Sequence, residues 1–208
     1  DKHVTGVQTC ALPISHNGLS GIIANMVEVT GESDGQAVVL QFDAIWESSL
    51  TDSASKGHPD IEVVTFDSRL HSINEILAVT DKPMIVDGDT GGDANAFEYT
   101  VSKLERAGVS AVIIEDKVFP KRNSLEAGVQ QNLQEPEVFA QKIRRGKSIQ
   151  KSSEFMIIAR IESLIAGKPM EDALNRATQY LQAGVDGIMI HSKRSEEHTS
   201  ELQSRAYL

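Results

Sequence analysis

Cysteine is nearly absent: the 208-residue chain holds one, Cys10. A single thiol excludes an internal disulfide framework and fits a reducing compartment, so a cytoplasmic location is expected. Also missing is any run of about 18 apolar residues, which leaves no segment for a membrane-spanning helix. Basic charge is scarce. Lys and Arg number 20 against 30 Asp and Glu, for a net charge of -10. With no Lys/Arg clusters, that balance argues against nucleic acid as the main partner. Six prolines and fifteen glycines are too few for a fibrous or low-complexity chain. What remains, 40% hydrophobic and 24% charged, suits a soluble globular protein with one sizeable core.

The two ends read unlike the middle. His198-Thr199-Ser200-Glu201-Leu202 can be encoded by a DNA stretch whose reverse complement, shifted by one base, encodes Val7-Gln8-Thr9-Cys10. The match extends outward, so that Val4 to Ile14 and Arg194 to Ser204 can come from opposite strands of one element. Both stretches resemble a translated sequencing adapter. Residues 1–15 and 194–208 are therefore expected to be artefact tails and residues 16–193 the natural segment, part of a longer protein. That segment keeps 17 basic and 26 acidic residues, and it has no cysteine.

Between the tails, helical and strand patterns alternate. Gly18 to Glu28 has helical apolar spacing, and Gly31-Glu32-Ser33-Asp34-Gly35 reads as a turn. Ala37 to Trp46 reads as one or two short strands. Helices are expected at Ser68–Val79, Asn95–Ala107 (stopped by Gly108), Glu135–Ile149 and Met170–Ala183 (stopped by Gly184). Strands are expected at Pro83–Val86, Val109–Ile114, Phe155–Ala159 and Val185–Ile190, with residues 117–134 irregular. Strands alternating with helices, with uniformly apolar runs, indicate a parallel α/β fold. A (β/α)8 barrel is favoured over a doubly wound sheet because five successive strands end in polar or charged residues: Glu47-Ser48, Asp87 with Asp89, Glu115, Arg160 with Glu162, and His191. Such ends form one catalytic rim in a barrel. The segment is short for that fold and supplies five or six strands of eight.

Asp87 and Asp89 are two apart and so share one side of an extended chain, with Glu115 ending the neighbouring strand. Three carboxylates at one mouth either hold a hard cation such as Mg2+ or are the ordinary acidic clustering of βα loops. The basic loop with Lys117, Lys121 and Arg122 suits either a lid over an anionic substrate or a solvated surface. Arg160, at the end of a buried strand, needs an anion, which Glu162 or a substrate carboxylate or phosphate can supply. His191 reads as a general acid, a hydrogen-bond donor or a structural histidine. Arg145-Gly146-Lys147-Ser148 is not a P-loop, because Gln141 stands where that pattern requires glycine.

At these residues the sequence resembles the phosphoenolpyruvate mutase family, within the isocitrate lyase/phosphoenolpyruvate mutase superfamily. The resemblance rests on His16-Asn17-Gly18-Leu19-Ser20, Ile45-Trp46-Glu47-Ser48-Ser49-Leu50, Asp87-Gly88-Asp89-Thr90-Gly91, Ala159-Arg160-Ile161-Glu162 and Ile190-His191-Ser192-Lys193. Its most specific element is Glu115-Asp116-Lys117 followed, five residues on, by Asn123-Ser124. The resemblance implies a barrel lacking most of its first strand and its last two strand–helix units. It also implies Mg2+-dependent interconversion of phosphoenolpyruvate and phosphonopyruvate, in a homotetramer. Asp87 would be the most direct metal ligand, with Asp89 and Glu115 holding its waters. Asp60, Lys121, Asn123, Arg160 and His191 would be catalytic; Trp46, Ser48, Ser49, Leu50 and Ser124 would bind substrate. Residues 29–40 look like an insertion, Ser49 stands where many members have Gly, and Gly92-Asp93-Ala94 replaces a common Tyr-Gly-Asn. A lyase of the superfamily needs a lid cysteine, which the natural segment lacks. A phosphonopyruvate hydrolase shares nearly every other feature, with Asn123 favouring the mutase. A third expectation is that the chain by itself is an inactive fragment.

Overall fold

The computed structural model describes residues 12–33, 35–124, 126 and 128–192. Cys10, Lys193 and most of both tails lie outside the described residues. Two residues assigned by sequence to the amino-terminal tail, Ile14 and Ser15, form a strand, β1. The order continues as α1 (Gly18–Met26), β2 (Glu28–Ser33), β3 (Gln36–Gln41), β4 (Ile45–Glu47), α2 (Ser49–Ser55), α3 (Phe66–Leu77) and β5 (Met84–Asp87). After these come α4 (Ala94–Ala107), β6 (Ala111–Glu115), α5 (Pro136–Ile149), β7 (Met156–Ile161), α6 (Met170–Ala183) and β8 (Gly187–Ile190).

Six strands form one parallel sheet in the order β1-β4-β5-β6-β7-β8. Each strand lies beside the one before it in the chain, with no reversal. A doubly wound sheet requires a reversal at its switch point; unbroken sequential order is how a βα barrel winds. Among the described residues β1 and β8 do not pair, so the barrel is incomplete.

Strand parity divides the sheet faces. Ile45, Met84, Val86, Val112, Ile114, Ile157, Ala159 and Ile161 are fully or almost fully buried in one core with helix residues such as Ile73, Phe97, Phe139 and Tyr180. Trp46 is paired in register with Ile85 on the opposite, barrel-inward face. Met156 and Met189 are exposed there. The helices start and stop on side-chain and glycine signals. Asn17 and Ser20 form a reciprocal cap on α1. Gly108 and Gly184 end α4 and α6 with φ of 89° and 97°, a left-handed turn that a Cβ disfavours.

Three local expectations change. The expected turn at 31–35 is mostly strand: Gly31 pairs with Val38 in an antiparallel hairpin, β2–β3, whose turn falls later, around Gly35. That hairpin is the insertion at 29–40, and it pairs with no barrel strand. The first helix ends at Met26 because Val27 is already extended. Helix α2 carries no apolar stripe and is an addition to the expected elements. No helix among the described residues is long and apolar enough to cross a membrane.

Candidate active site at the strand ends

The carboxyl ends of β4 to β8 carry the polar cluster. Asp87 is the last residue of β5 and Ile113 is its partner in β6; Glu115, two residues on, is paired with Arg160 in β7. Asp87, Glu115 and Arg160 thus point to one face of the sheet, with the Glu115–Arg160 pair one step beyond Asp87. Trp46 lies a layer beneath, beside Ile85. Gly88 lets the chain cross close to β6: a Cβ there would stand 2.8 Å from Val112 Cγ2 and 3.0 Å from the Ile113 carbonyl oxygen. The Gly88 N–H donates to that carbonyl at 2.7 Å, and the Glu115 N–H to the Asp89 carbonyl at 2.7 Å. Asp89 has φ 54°. It therefore reaches the cluster by leaving the strand, not by the extended-chain parity expected from its spacing.

The cations between the carboxylates are side chains. Arg160 hydrogen-bonds Glu115 and lies 3.5 Å from Asp87 Oδ2, with its Nε 2.8 Å from Glu162 Oε1. Lys121 Nζ is 2.7 Å from Asp89 Oδ1 and 2.8 Å from Asp60 Oδ1, and it donates to Ser49 Oγ at 3.2 Å. The Ser49 hydroxyl donates to Asp87 Oδ2 at 3.0 Å. Asn123 Nδ2 donates to Asp60 Oδ2 at 3.1 Å. Lys117 and Lys121 of the basic loop are therefore buried against the rim, whereas Arg122 is exposed.

The site's acids diverge. Burial raises the Asp87 carboxyl, but Arg160, Lys121 and Arg69 more than offset it and hold Asp87 well below the usual carboxylate range. At Glu115 burial wins against Arg160 and Lys121 and pushes the carboxyl up to about 7. Its Oε1 is buried without a hydrogen-bond partner among the described residues. Glu162 is lowered to about 2: burial opposes ionisation, but His191, Arg160 and Lys117 outweigh it. Lys121 is held above the ordinary lysine range because Asp89, Asp87, Glu115 and Asp60 outweigh the cost of burial.

His191 places Nδ1 2.8 Å from Glu162 Oε1, and the Ser124 hydroxyl donates to Glu162 Oε2 at 3.1 Å. Ser124 also accepts from Lys117. Ser48 caps α2 by accepting from the Thr51 N–H, and the first N–H groups of a helix, those of Ser49 and Leu50 here, have no partner within it. The Leu50 side chain is exposed. Among the described residues, no three His, Cys, Asp or Glu side chains form a ready cation-binding group.

Sequence reasoning missed two contributors. Arg69 on α3 hydrogen-bonds Glu47 and lies 3.0 Å from Asp89 Oδ2. Glu62 accepts from the Thr90 N–H at 2.9 Å, the Thr90 hydroxyl at 2.8 Å and the Lys121 N–H at 2.8 Å. Arg69 had a signal: it falls on the apolar stripe Phe66, Ile73, Ile76, where an unneutralised charge is costly. Glu62 lies in a loop and had none.

A family model described as phosphoenolpyruvate phosphomutase matches residues 3–206. A phosphoenolpyruvate phosphomutase of Tetrahymena pyriformis is 39% identical over 191 residues, covering 91% of this chain and 59% of the relative. The crystal structure of phosphoenolpyruvate phosphomutase from Streptomyces platensis subsp. rosaceus superposes with TM-score 0.83 at 36% identity, over 94% of this chain and 64% of that one. A phosphonopyruvate hydrolase in complex with oxalate and Mg2+ superposes with TM-score 0.75 at 32% identity, over 91% of this chain and 60% of that one. The chain thus spans less than two thirds of the length of these relatives. The family model matches nearly the whole chain, and the chain belongs to the phosphoenolpyruvate phosphomutase family.

Proposed function

We propose that the whole protein is a Mg2+-dependent phosphoenolpyruvate mutase of phosphonate biosynthesis, interconverting phosphoenolpyruvate and phosphonopyruvate. The observation that carries this reading is the docked lid: Lys121 and Asn123 both reach Asp60, and Lys121 also reaches Asp89, on the rim that carries Asp87, Glu115 and Arg160. Moving a phosphoryl group from oxygen to carbon passes through a loose, charge-rich transition state, which rewards positioning and charge more than covalent help. Capture by water would release phosphate, so a lid that excludes water serves the mutase.

The donor set suits a hard divalent cation. Asp87 stays ionised, and Glu115 keeps one buried oxygen without a hydrogen-bond partner among the described residues. Mg2+ needs only one or two carboxylates, because it retains waters. Asp87 would hold it directly, and Asp89 and Glu115 through waters. When bound it supplies charge stabilisation to the pyruvyl oxygens. Arg160, His191 and Asn123 bind the phosphoryl group, with Glu162 orienting His191. Ser48, the Ser49 and Leu50 N–H groups and Trp46 receive the pyruvyl part. Asp60 stands beside the transferring group, fixed by Lys121 and Asn123, and Ser124 fixes the far end of the lid. We read residues 16–193 as the natural segment, the complete enzyme as a cytoplasmic homotetramer, and the 208-residue chain alone as inactive, since the barrel does not close among the described residues.

Incubating the complete enzyme with phosphonopyruvate and Mg2+, followed by 31P NMR, tests the reading. Phosphoenolpyruvate is expected. Pyruvate with inorganic phosphate would instead make it a hydrolase, a reading that the likeness to phosphonopyruvate hydrolase keeps open. Replacing Asn123 or Asp60 is expected to lower turnover by about 100-fold or more, the scale of losing one preorganised polar contact to developing charge. The 208-residue chain should give no product; a rate near 1 per second, ordinary for an enzyme, would refute its inactivity.

A further inference from the structure

We propose that Glu62 is the positioning residue that straps the lid shut. The inference rests on reading the loop after β6 as a lid, and it adds a residue that the family motifs quoted above do not include. Glu62 belongs to the turn between α2 and α3 and has φ 58°, a left-handed backbone that side-chain-bearing residues rarely adopt. That backbone places its carboxylate between two segments distant in sequence. One oxygen, Oε1, accepts from both the N–H and the hydroxyl of Thr90, next to Asp89. The other, Oε2, accepts from the N–H of Lys121 in the lid.

This division of labour sets the lid's register. The Lys121 N–H is tied to Glu62 while its Nζ reaches Asp60, Asp89 and Ser49. Backbone and side chain of one residue are thus fixed at two points, and the lid cannot rise without breaking both. Asp89, among the described residues the other one with a left-handed backbone that is not glycine, sits beside Thr90, so the strap joins the lid to the carboxylate loop itself. Only a carboxylate meets this demand. A glutamine has one acceptor oxygen and an N–H2 group, so one of the two segments would face a donor with a donor.

The test is amide hydrogen exchange, read by mass spectrometry on the 208-residue chain, comparing wild type with Glu62→Gln. No catalysis is involved, so its outcome is separate from that of the mutase assignment. The expected result is at least tenfold faster exchange in the peptide containing Lys121, with exchange in α4 and α5 unchanged. Tryptic cleavage after Lys121 and Arg122 should accelerate in parallel. Unchanged exchange at Lys121 would overturn the proposal. Faster exchange throughout α4 and α5 would also overturn it, in favour of a general scaffold role. Should Glu62→Gln fail to fold, Glu62→Gly removes the carboxylate and relieves the left-handed backbone, and the same comparison applies.

Discussion

At the scale of single residues, the site is governed by where each charge finds its opposite. Asp87, Glu115 and Arg160 were visible in the sequence because each ends an apolar run, and a charge in that position belongs to the rim. Their partners were only half visible. The carboxylates suggested a cation between them; that Arg160 and Lys121 also pair with them follows from the fold. Lys142 shows the same logic away from the rim. It is buried on α5, donates to the Thr90 carbonyl at 2.7 Å and lies 5.6 Å from the Phe139 ring centroid. Burial lowers it to about 8, against partial relief from Glu62 and Asp93. Its pKa is lower folded than unfolded, so between about pH 8 and about pH 10.5 the unfolded chain binds the extra proton and stability rises with pH. We expect urea unfolding to show a gain of up to about 3 kcal/mol across that window, on the scale of 1.36 kcal/mol per pKa unit. The gain should be absent in Lys142→Met; an identical pH profile in the two proteins would refute it.

At the scale of elements, legibility followed chemistry. Strand β6, observed at Ala111–Glu115, was plain from the run Ala111 to Ile114, because a strand buried on both faces reads as a near-continuous apolar run. Helix α2 was not, because Ser-Leu-Thr-Asp-Ser-Ala-Ser offers no stripe. It is held instead by contacts invisible locally: the Ser72 hydroxyl of α3 donates to Asp52 at 2.7 Å, and Lys56 pairs with the same carboxylate. Three helices each place one cation on an apolar stripe: Arg69 on α3, Lys142 on α5 and Arg176 on α6. Arg176 lies 3.1 Å from Asp116 Oδ2, just past the end of β6. The recurrence was readable in the sequence as charges at buried helical positions. The β2–β3 hairpin is the opposite case, with Val29, Val39 and Leu40 exposed and no barrel strand beside it. Replacing 28–41 with a short glycine–serine linker should therefore move the thermal midpoint by no more than about 2 °C, the shift produced by a fraction of 1 kcal/mol in a domain of this size. A fall of 10 °C would show the hairpin to be integral.

At the scale of the whole molecule, the barrel architecture was legible because its signal repeats, whereas the lid's seat on the rim depends on meetings across the fold. Asp60 and Asn123, or Glu62 and Thr90, carry no mark of each other in the sequence. The sequential strand order has a further consequence, which concerns how the chain assembles. Every strand of the sheet pairs with the sheet strand that precedes it in the chain, so growth can spread outward from a single nucleus. The longest ladder of the parallel sheet lies in its interior: five register pairs, Ala111↔Met156 to Glu115↔Arg160, join β6 to β7, whereas β1, at the edge, contributes two residues. Pulse-labelled exchange during refolding should protect β6 and β7 first and β1 last; simultaneous protection of all six strands would contradict this order. The residues that bring Glu115 opposite Arg160 would then be among the earliest to meet, and the active-site rim would be founded before the sheet around it is complete.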